Sequence, residues 1–279
     1  LFWVAQDQGF FNKNGLEVVV HRYDSGAAAL GAVTNCEADI AVGSAEFPLV
    51  ISALNQESIR TMGVISKSKL IYLVARRDSG ISAPSDLEGK TIGTTVGTIA
   101  DYYLGRFLVL NGLSSENVIL VNLKTAPEWV NAVVNGSVDA VATAQPYANS
   151  AKDALGENAL VWSLNGDQPH YTQVIATNQW IEENPDLCRR FLESLYQAET
   201  FTVNNPSEAK TIIKEQMNFS DAYMETVWSQ NQYSLSLDLS LIQAMENEAR
   251  WLISNNLTNQ TAVPDFINYV YLDGLTSVN

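Results

Sequence analysis

Only two histidines and two cysteines occur in 279 residues, and that shortage removes most of the usual apparatus of covalent chemistry. His21 follows an apolar run, and His170 sits in the loop-like stretch Gly166-Asp167-Gln168-Pro169-His170-Tyr171. No serine occupies a Gly-x-Ser-x-Gly elbow, and no His, Asp or Glu cluster has metal-ligand spacing. No catalytic residue, resident metal or cofactor is therefore expected. Cys36 and Cys188 read either as two lone buried thiols or as one disulfide. Basic residues are also scarce, with 16 Lys and Arg against 31 Asp and Glu, for a formal charge of −15. The densest basic run is Lys67-Ser68-Lys69, so nothing neutralises a phosphate backbone and nucleic acid is excluded as a partner. An anionic membrane surface would repel the chain. No apolar run reaches the roughly 20 residues of a membrane span. No leader peptide is visible, and the opening Leu1-Phe2-Trp3-Val4-Ala5 lacks Met, which leaves room for an export signal ahead of it.

What is present is alternating α/β patterning. Leu1 to Phe11 reads as a helix ending near Gly9, and Leu16 to Val20 as a β-rich run. Ser25-Gly26 opens a small-residue helix, Ala38 to Val42 is a short strand, and Gly43-Ser44-Ala45-Glu46-Phe47-Pro48 turns into another helix with proline near its first turn. Further strands are expected at Ile59 to Val64, Lys69 to Ala75 and Val118 to Val121, with a helix from Ala100 to Asn111. Beyond Ile181 the pattern becomes mostly helical, with Trp228, Tyr233 and Trp251 available for core packing or docking. Shifting the sequence by 100 residues aligns Ser25–Gly43 with Thr125–Thr143: Ala32-Val33 falls on Ala132-Val133, Asn35 on Asn135 and Asp39 on Asp139. This is either the common look of α/β units or the trace of two similar lobes, each presenting a polar loop beyond a strand. Open α/β sheets bind ligands beyond the carboxyl ends of their strands. Three loops qualify for one cleft: Gly43 to Pro48, Thr94 to Thr98 and Thr143 to Tyr147.

The middle loop, Gly93-Thr94-Thr95-Val96-Gly97-Thr98-Ile99-Ala100-Asp101, offers hydroxyls and backbone N–H groups but no nucleophile or base. It lacks the lysine and spacing of a phosphate loop and fails the dinucleotide fingerprint. Thr98 and Asp101 form a possible capping pair. The free N–H groups of the first helical turn also make an anion site that Gly97 allows a ligand to approach. Glu46 is either a helix-terminal carboxylate or, if it faces the cleft, a partner for an ammonium or ring N–H.

The stretch Ala5-Gln6-Asp7-Gln8-Gly9-Phe10-Phe11-Asn12-Lys13-Asn14-Gly15-Leu16-Glu17-Val18 resembles the opening of substrate-binding proteins of ABC importers, specifically the nitrate, sulfonate, taurine and thiamin-pyrimidine group. Ala38 to Ser44, Leu87 to Gly93, Gly136 to Ala140 and Asn184-Pro185-Asp186 match later landmarks in order. The resemblance implies the two-lobed type II periplasmic-binding-protein architecture, with a ligand cleft between the lobes. Two crossing hinge strands would lie near Tyr72 to Arg76 and Thr172 to Ala176, and a helical C-terminal part would pack on lobe 1. Lobe 1 would comprise residues 1–75 and 174–279, and lobe 2 residues 76–173. It further implies an extracytoplasmic monomer that closes on one small molecule and presents it to a membrane permease without chemistry. Gly97, Thr98, Ile99 and Ala100 would face an anion, Ser25, Gly26, Gly43 and Ser44 would line the first lobe, and Gln145, Tyr147, His170 and Tyr171 would form the second lobe's wall. Glu46 would select an amine or ring N–H. The family has a strand and loop ahead of the A-x-x-x-G-F-F helix, and this chain starts after them. Where sulfonate binders often carry an aromatic and an acidic residue before Pro-Tyr, it has Ala144-Gln145. A sulfonate such as taurine is the leading ligand class, a thiamin-type pyrimidine the next, with nitrate or bicarbonate behind them. An enzyme resembling thiamin-pyrimidine synthase and a sensor domain are the rivals.

Overall fold

The two segments related by the 100-residue shift fold alike in the computed structural model, which describes residues 1–23 and 25–276. Ser25 caps α3 (Gly26–Thr34) by accepting the N–H of Ala28, and Thr125 caps α6 (Ala126–Val134) by accepting that of Glu128. Such caps satisfy N–H groups that the helix itself cannot. Each helix stops at an asparagine, Asn35 or Asn135. The N–H of Ala38 then reaches back to the Ala32 carbonyl, as that of Val138 does to Ala132. The turns lead into β1 (Ile40–Ala45) and β6 (Ala140–Ala144).

The chain divides into two units, the first built from Leu1–Ser68 and everything from His170 onward, the second from Lys69–Pro169. The expected boundaries near 75 and 173 fall within two strands, β3 (Ile71–Arg76) of the second unit and β8 (His170–Thr177) of the first.

In the first unit a four-stranded sheet has the order β1-β8-β2-β9, with β2 at Ile59–Ser68 and β9 at Asn231–Gln232. β8 pairs antiparallel with both β1 and β2, from Ile59 opposite Thr177 to Ser68 opposite His170. The helix expected at the start is two short ones, α1 (Phe2–Asp7) and α2 (Phe10–Lys13), because Gly9 at φ 66 breaks the run. They rest on α9 (Pro185–Asn204), where Phe11 stacks on Phe191 at 5.2 Å. Burying such a ring contributes about 1.5–3 kcal/mol. Residues 16–20 join no strand, contrary to the β-rich reading. Val19 is 74% exposed, and β propensity without a partner strand makes no ladder. α4 (Glu46–Leu54) follows β1, and α8 (Asn178–Glu183) follows β8. The C-terminal helices belong to this unit: α10 (Pro206–Met217), α11 (Asp221–Val227), α12 (Leu239–Ser254) and α13 (Leu272–Thr276). α9 and α13 pack on β2, and α12 packs on α4, placing Trp251 6.3 Å from Phe47.

The second unit holds a five-stranded sheet of order β5-β4-β6-β3-β7, with β4 at Thr91–Thr94, β5 at Ile119–Asn122 and β7 at Ala159–Ser163. β4 is parallel to β5 and β6, while β3 runs antiparallel to β6 and β7. α5 (Ile99–Leu110) follows β4, α6 follows β5, and α7 (Tyr147–Leu155) follows β6. Val74, Val133, Val138, Val141, Ala148 and Ala151 form its buried core. Both cysteines are free. Cys188 is buried as expected, but Cys36 is exposed, since it sits in the tight turn after α3 at φ 60.

Candidate functional site

Parallel strands send all their carboxyl ends the same way, so β4, β5 and β6 gather the loops that start at Thr95, Leu123 and Gln145 at one end of the second unit's sheet. These loops are tied together. The Thr95 hydroxyl donates to the Leu123 carbonyl at 2.6 Å, and the Thr98 hydroxyl to the Thr95 carbonyl at 2.6 Å. The indole N–H of Trp129 reaches both Thr95 Oγ1 and the Leu123 carbonyl at 3.1 Å. The Trp129 ring meets Tyr147 edge-on at 5.4 Å. Behind the loops, Thr94 and Thr143 are buried with hydroxyls that lack partners among the described residues. The expected residues Gly97, Thr98, Ile99, Ala100 and Tyr147 thus share one cluster.

Thr98 is the N-cap residue of α5, yet its side chain makes no capping bond, because its hydroxyl is spent on Thr95. The reciprocal half is displaced as well: the Asp101 carboxylate accepts the N–H of Gly97 at 2.9 Å, one residue earlier than a capping box requires. Gly97 adopts φ +77 with nothing near the position a Cβ would take, so the turn is open at that point. The N–H groups at the start of α5 consequently have no side-chain acceptor from Thr98 and lie at the positive end of a 12-residue helix, a ready seat for electron-rich atoms. Asp101 tempers that potential. It is 6% exposed, and burial raises its pKa against the opposing pull of the Gly97 N–H. A bare inorganic anion would meet this carboxylate without compensation, whereas a ligand that also carries a proton donor would not. Gln145 does not offer its amide freely, because both ends of that amide bond Asn149.

The first unit holds a second cluster. A Cβ at Gly26 would lie 2.6 Å from the Gly43 carbonyl oxygen and from Ser44 Cα, so glycine is what lets the start of α3 lie against the bulged end of β1. The strand bulges between Val42 and Ser44, and Gly43 takes φ +91. Ser25 is exposed beside this contact, but Ser44 is fully buried and its hydroxyl bonds the Ala45 carbonyl. β1 hands Glu46 to the first position of α4. Contrary to an open, ligand-selecting role, Glu46 is fully buried. Its Oε2 accepts the N–H of Tyr171 at 2.9 Å and lies 3.1 Å from His170 Nδ1. Its Oε1 has no partner among the described residues. Burial alone would pull the His170 pKa down, but the charge and hydrogen bond of Glu46 outweigh it and the net shift is upward. His170, expected in a loop, is the first residue of β8 and half-buried. Tyr171, expected as a wall, is 1% exposed, and its hydroxyl bonds Ser240 of α12 at 2.9 Å.

Among the described residues no His, Cys, Asp or Glu group is arranged to hold a metal ion, and no helix is long and apolar enough to cross a membrane. Sequence reasoning missed Trp129, Thr95 and the displaced role of Asp101. The signal for Trp129 was its place in the repeat's second copy, at Thr125-Ala126-Pro127-Glu128-Trp129, where an aromatic in the first turn of a capped helix sits next to a strand's carboxyl end.

Residues 1–209 match the family described as NMT1/THI5 like. YtlA of Bacillus subtilis, a binding protein by name, is 23% identical over 279 residues, spanning 96% of this chain and 81% of that one. The periplasmic aliphatic sulphonate binding protein SsuA of Escherichia coli superposes with a TM-score of 0.83 at 17% identity, over 98% of this chain and 94% of that one. The desulfurization enzyme DSZB superposes with a TM-score of 0.71 at 16% identity, covering 99% and 95%. The architecture is therefore that of the periplasmic binding proteins.

Proposed function

This chain belongs to the NMT1/THI5 like family, and we propose that it is an extracytoplasmic solute-binding protein of an ABC importer that captures a small organic zwitterion or anion of the sulfonate or taurine type. The observation that carries the reading is the α5 turn. Its N–H groups stand open beside Gly97, with Trp129 and Tyr147 as an aromatic flank and the buried Asp101 near enough to favour a ligand that is not purely anionic. A taurine-like molecule brings a sulfonate for the helix terminus and an ammonium that offsets the carboxylate. In this reading hinge closure commits the ligand for delivery to a permease.

The fold of SsuA supports this reading, as do the relatives named as binding proteins. DSZB shows that the same fold also accommodates an enzyme. Here the buried cysteine is a poor nucleophile, since burial pushes the Cys188 thiol up to about 11, and the thiolate is the reactive form. A thiamin-type pyrimidine is the second reading, since the aromatic flank of Trp129 and Tyr147 would also suit a heteroaromatic ring.

The test is mass spectrometry of small molecules released on denaturing the purified protein, followed by calorimetric titration with taurine, an alkanesulfonate and an aminopyrimidine. A sulfonate bound and recovered unchanged is the expected outcome. Preferential binding of the aminopyrimidine would install the second reading, and repeated turnover of any of the three would overturn both.

A further inference from the structure

At the end of the first unit's sheet opposite the Glu46–His170 pair lies a cavity of about 510 Å³. The β2–β8 ladder runs from Ser68 opposite His170 to Ile59 opposite Thr177, so ten residues of strand separate the two ends by roughly 30 Å. The cavity is bordered by the last turn of α4 and the start of β2 and by residues 260–269, which carry no strand and only a short 3-10 turn.

Its lining is polar in a particular way. Arg60 has one ion pair among the described residues, to Glu182 at 3.9 Å, beyond hydrogen-bond reach and with the Glu182 side chain 67% exposed. Its guanidinium donors therefore remain available to a carboxylate. Asn178 follows β8, and its N–H bonds the Ser58 carbonyl, yet its side-chain carbonyl oxygen is buried without a partner. Glu57 makes no side-chain hydrogen bond or ion pair among the described residues, and Asp265 accepts only a long 3.3 Å bond from Ile267. The negative end of the α4 dipole points the same way as these acceptors. One cation with free donors and two carboxylates with little else to bond thus line a space large enough for a small ligand.

We propose that this cavity is a second ligand site, distinct from the first and specific for a small zwitterion carrying a carboxylate and an ammonium, as an amino acid does. The carboxylate pairs with Arg60, and the ammonium is taken by Glu57 and Asp265. The site is independent of the importer reading, because none of its residues takes part in either cluster described above. α4 links the two places nonetheless, with Glu46 at its first residue and Ala53 and Leu54 in the cavity wall.

The experiment is an amide NMR titration of the full chain with glycine, L-serine and L-lysine, with acetate and methylammonium as half-ligand controls. Saturable shifts at Arg60, Asn178 and Asn268 are expected with at least one amino acid, weakened roughly tenfold or more when either charge is missing or when Arg60→Gln removes the cation. Three results overturn the proposal: no saturable shift there with any of the three up to about 10 mM, equal binding of acetate alone, or full binding by Arg60→Gln. Because the readout is local to these resonances, failure leaves the taurine-type reading of the first site untouched.

Discussion

Replacing Glu46 with glutamine isolates a single charge at the point where the chain re-enters the first unit. The carboxylate is fully buried, holds the N–H of Tyr171 at 2.9 Å and stands 3.1 Å from His170 Nδ1. The amide side chain would keep an oxygen for the Tyr171 N–H but no charge for the imidazole. A hydrogen bond to a charged group contributes about 1.5–3 kcal/mol and a neutral one about 0.5–1.5, so Glu46→Gln should cost roughly 1–2 kcal/mol while His170 is protonated. The pH dependence follows from the sign of the shift. The folded pKa of His170 is raised above its ordinary 6.5. Its contribution is then fully present below 6.5 and is lost as pH rises through the folded value. The wild type should therefore lose stability relative to Glu46→Gln as pH rises from 6.5 through the raised value of His170, and the two urea-denaturation profiles should converge. Glu46→Ala separates the hydrogen bond from the charge. It leaves the Tyr171 N–H buried without an acceptor and should cost about 1–3 kcal/mol at both ends of the range. Parallel profiles for wild type and Glu46→Gln, or an NMR midpoint for His170 at or below 6.5, would refute the pairing.

Three further outcomes follow from the geometry. Gly26→Ala should lower the melting temperature, because its methyl would lie 2.6 Å from backbone atoms of Gly43 and Ser44, and overpacking against backbone costs about 1–3 kcal/mol; a variant that melts like the wild type would mean the α3–β1 contact relaxes freely. Thr98→Val removes the 2.6 Å bond to the Thr95 carbonyl and should cost about 0.5–1.5 kcal/mol in stability. If the turn holds the ligand, it should also weaken binding roughly tenfold to a hundredfold, by calorimetry where circular dichroism shows the variant folded. A thiol reagent should label Cys36 promptly and Cys188 only on unfolding, since the first is exposed and burial pushes the second up to about 11; simultaneous labelling of both in the native state would contradict the packing around α9.

Local patterning was legible wherever one element decides its own conformation. The repeat at Ser25 and Thr125 was readable because a hydroxyl N-cap and a helix ending at asparagine are written in adjacent residues. The turn before α5 was readable through Gly97 and the small hydroxylated residues around it, although the capping pair expected of Thr98 and Asp101 does not form, because the Thr98 hydroxyl goes to Thr95 and the Asp101 carboxylate to Gly97. What depended on distant partners was not. Residues 16–20 have strand propensity but no partner strand, and nothing local in Gly43 to Glu46 tells that Ser44 and Glu46 turn inward. Glu46 is buried because β8 arrives beside it from more than a hundred residues later, bringing the N–H of Tyr171 and the ring of His170. Trp129 escaped notice because its bonds go to Thr95 and Leu123, on two different loops.

The pairing of Ser68 with His170 bears on the order in which the protein can form as it leaves the ribosome. The first unit's sheet depends on β8, which joins β1 to β2, and β8 is synthesised only after the whole of Lys69–Pro169 has emerged. Every strand and helix of the second unit lies within that one continuous stretch, so it has all its partners before the first unit has its central strand. Domains fold as units during synthesis, and here the earlier half of the chain waits for the later one: β1, β2 and α4 emerge first, yet they remain without their shared neighbour until the inserted unit has been completed.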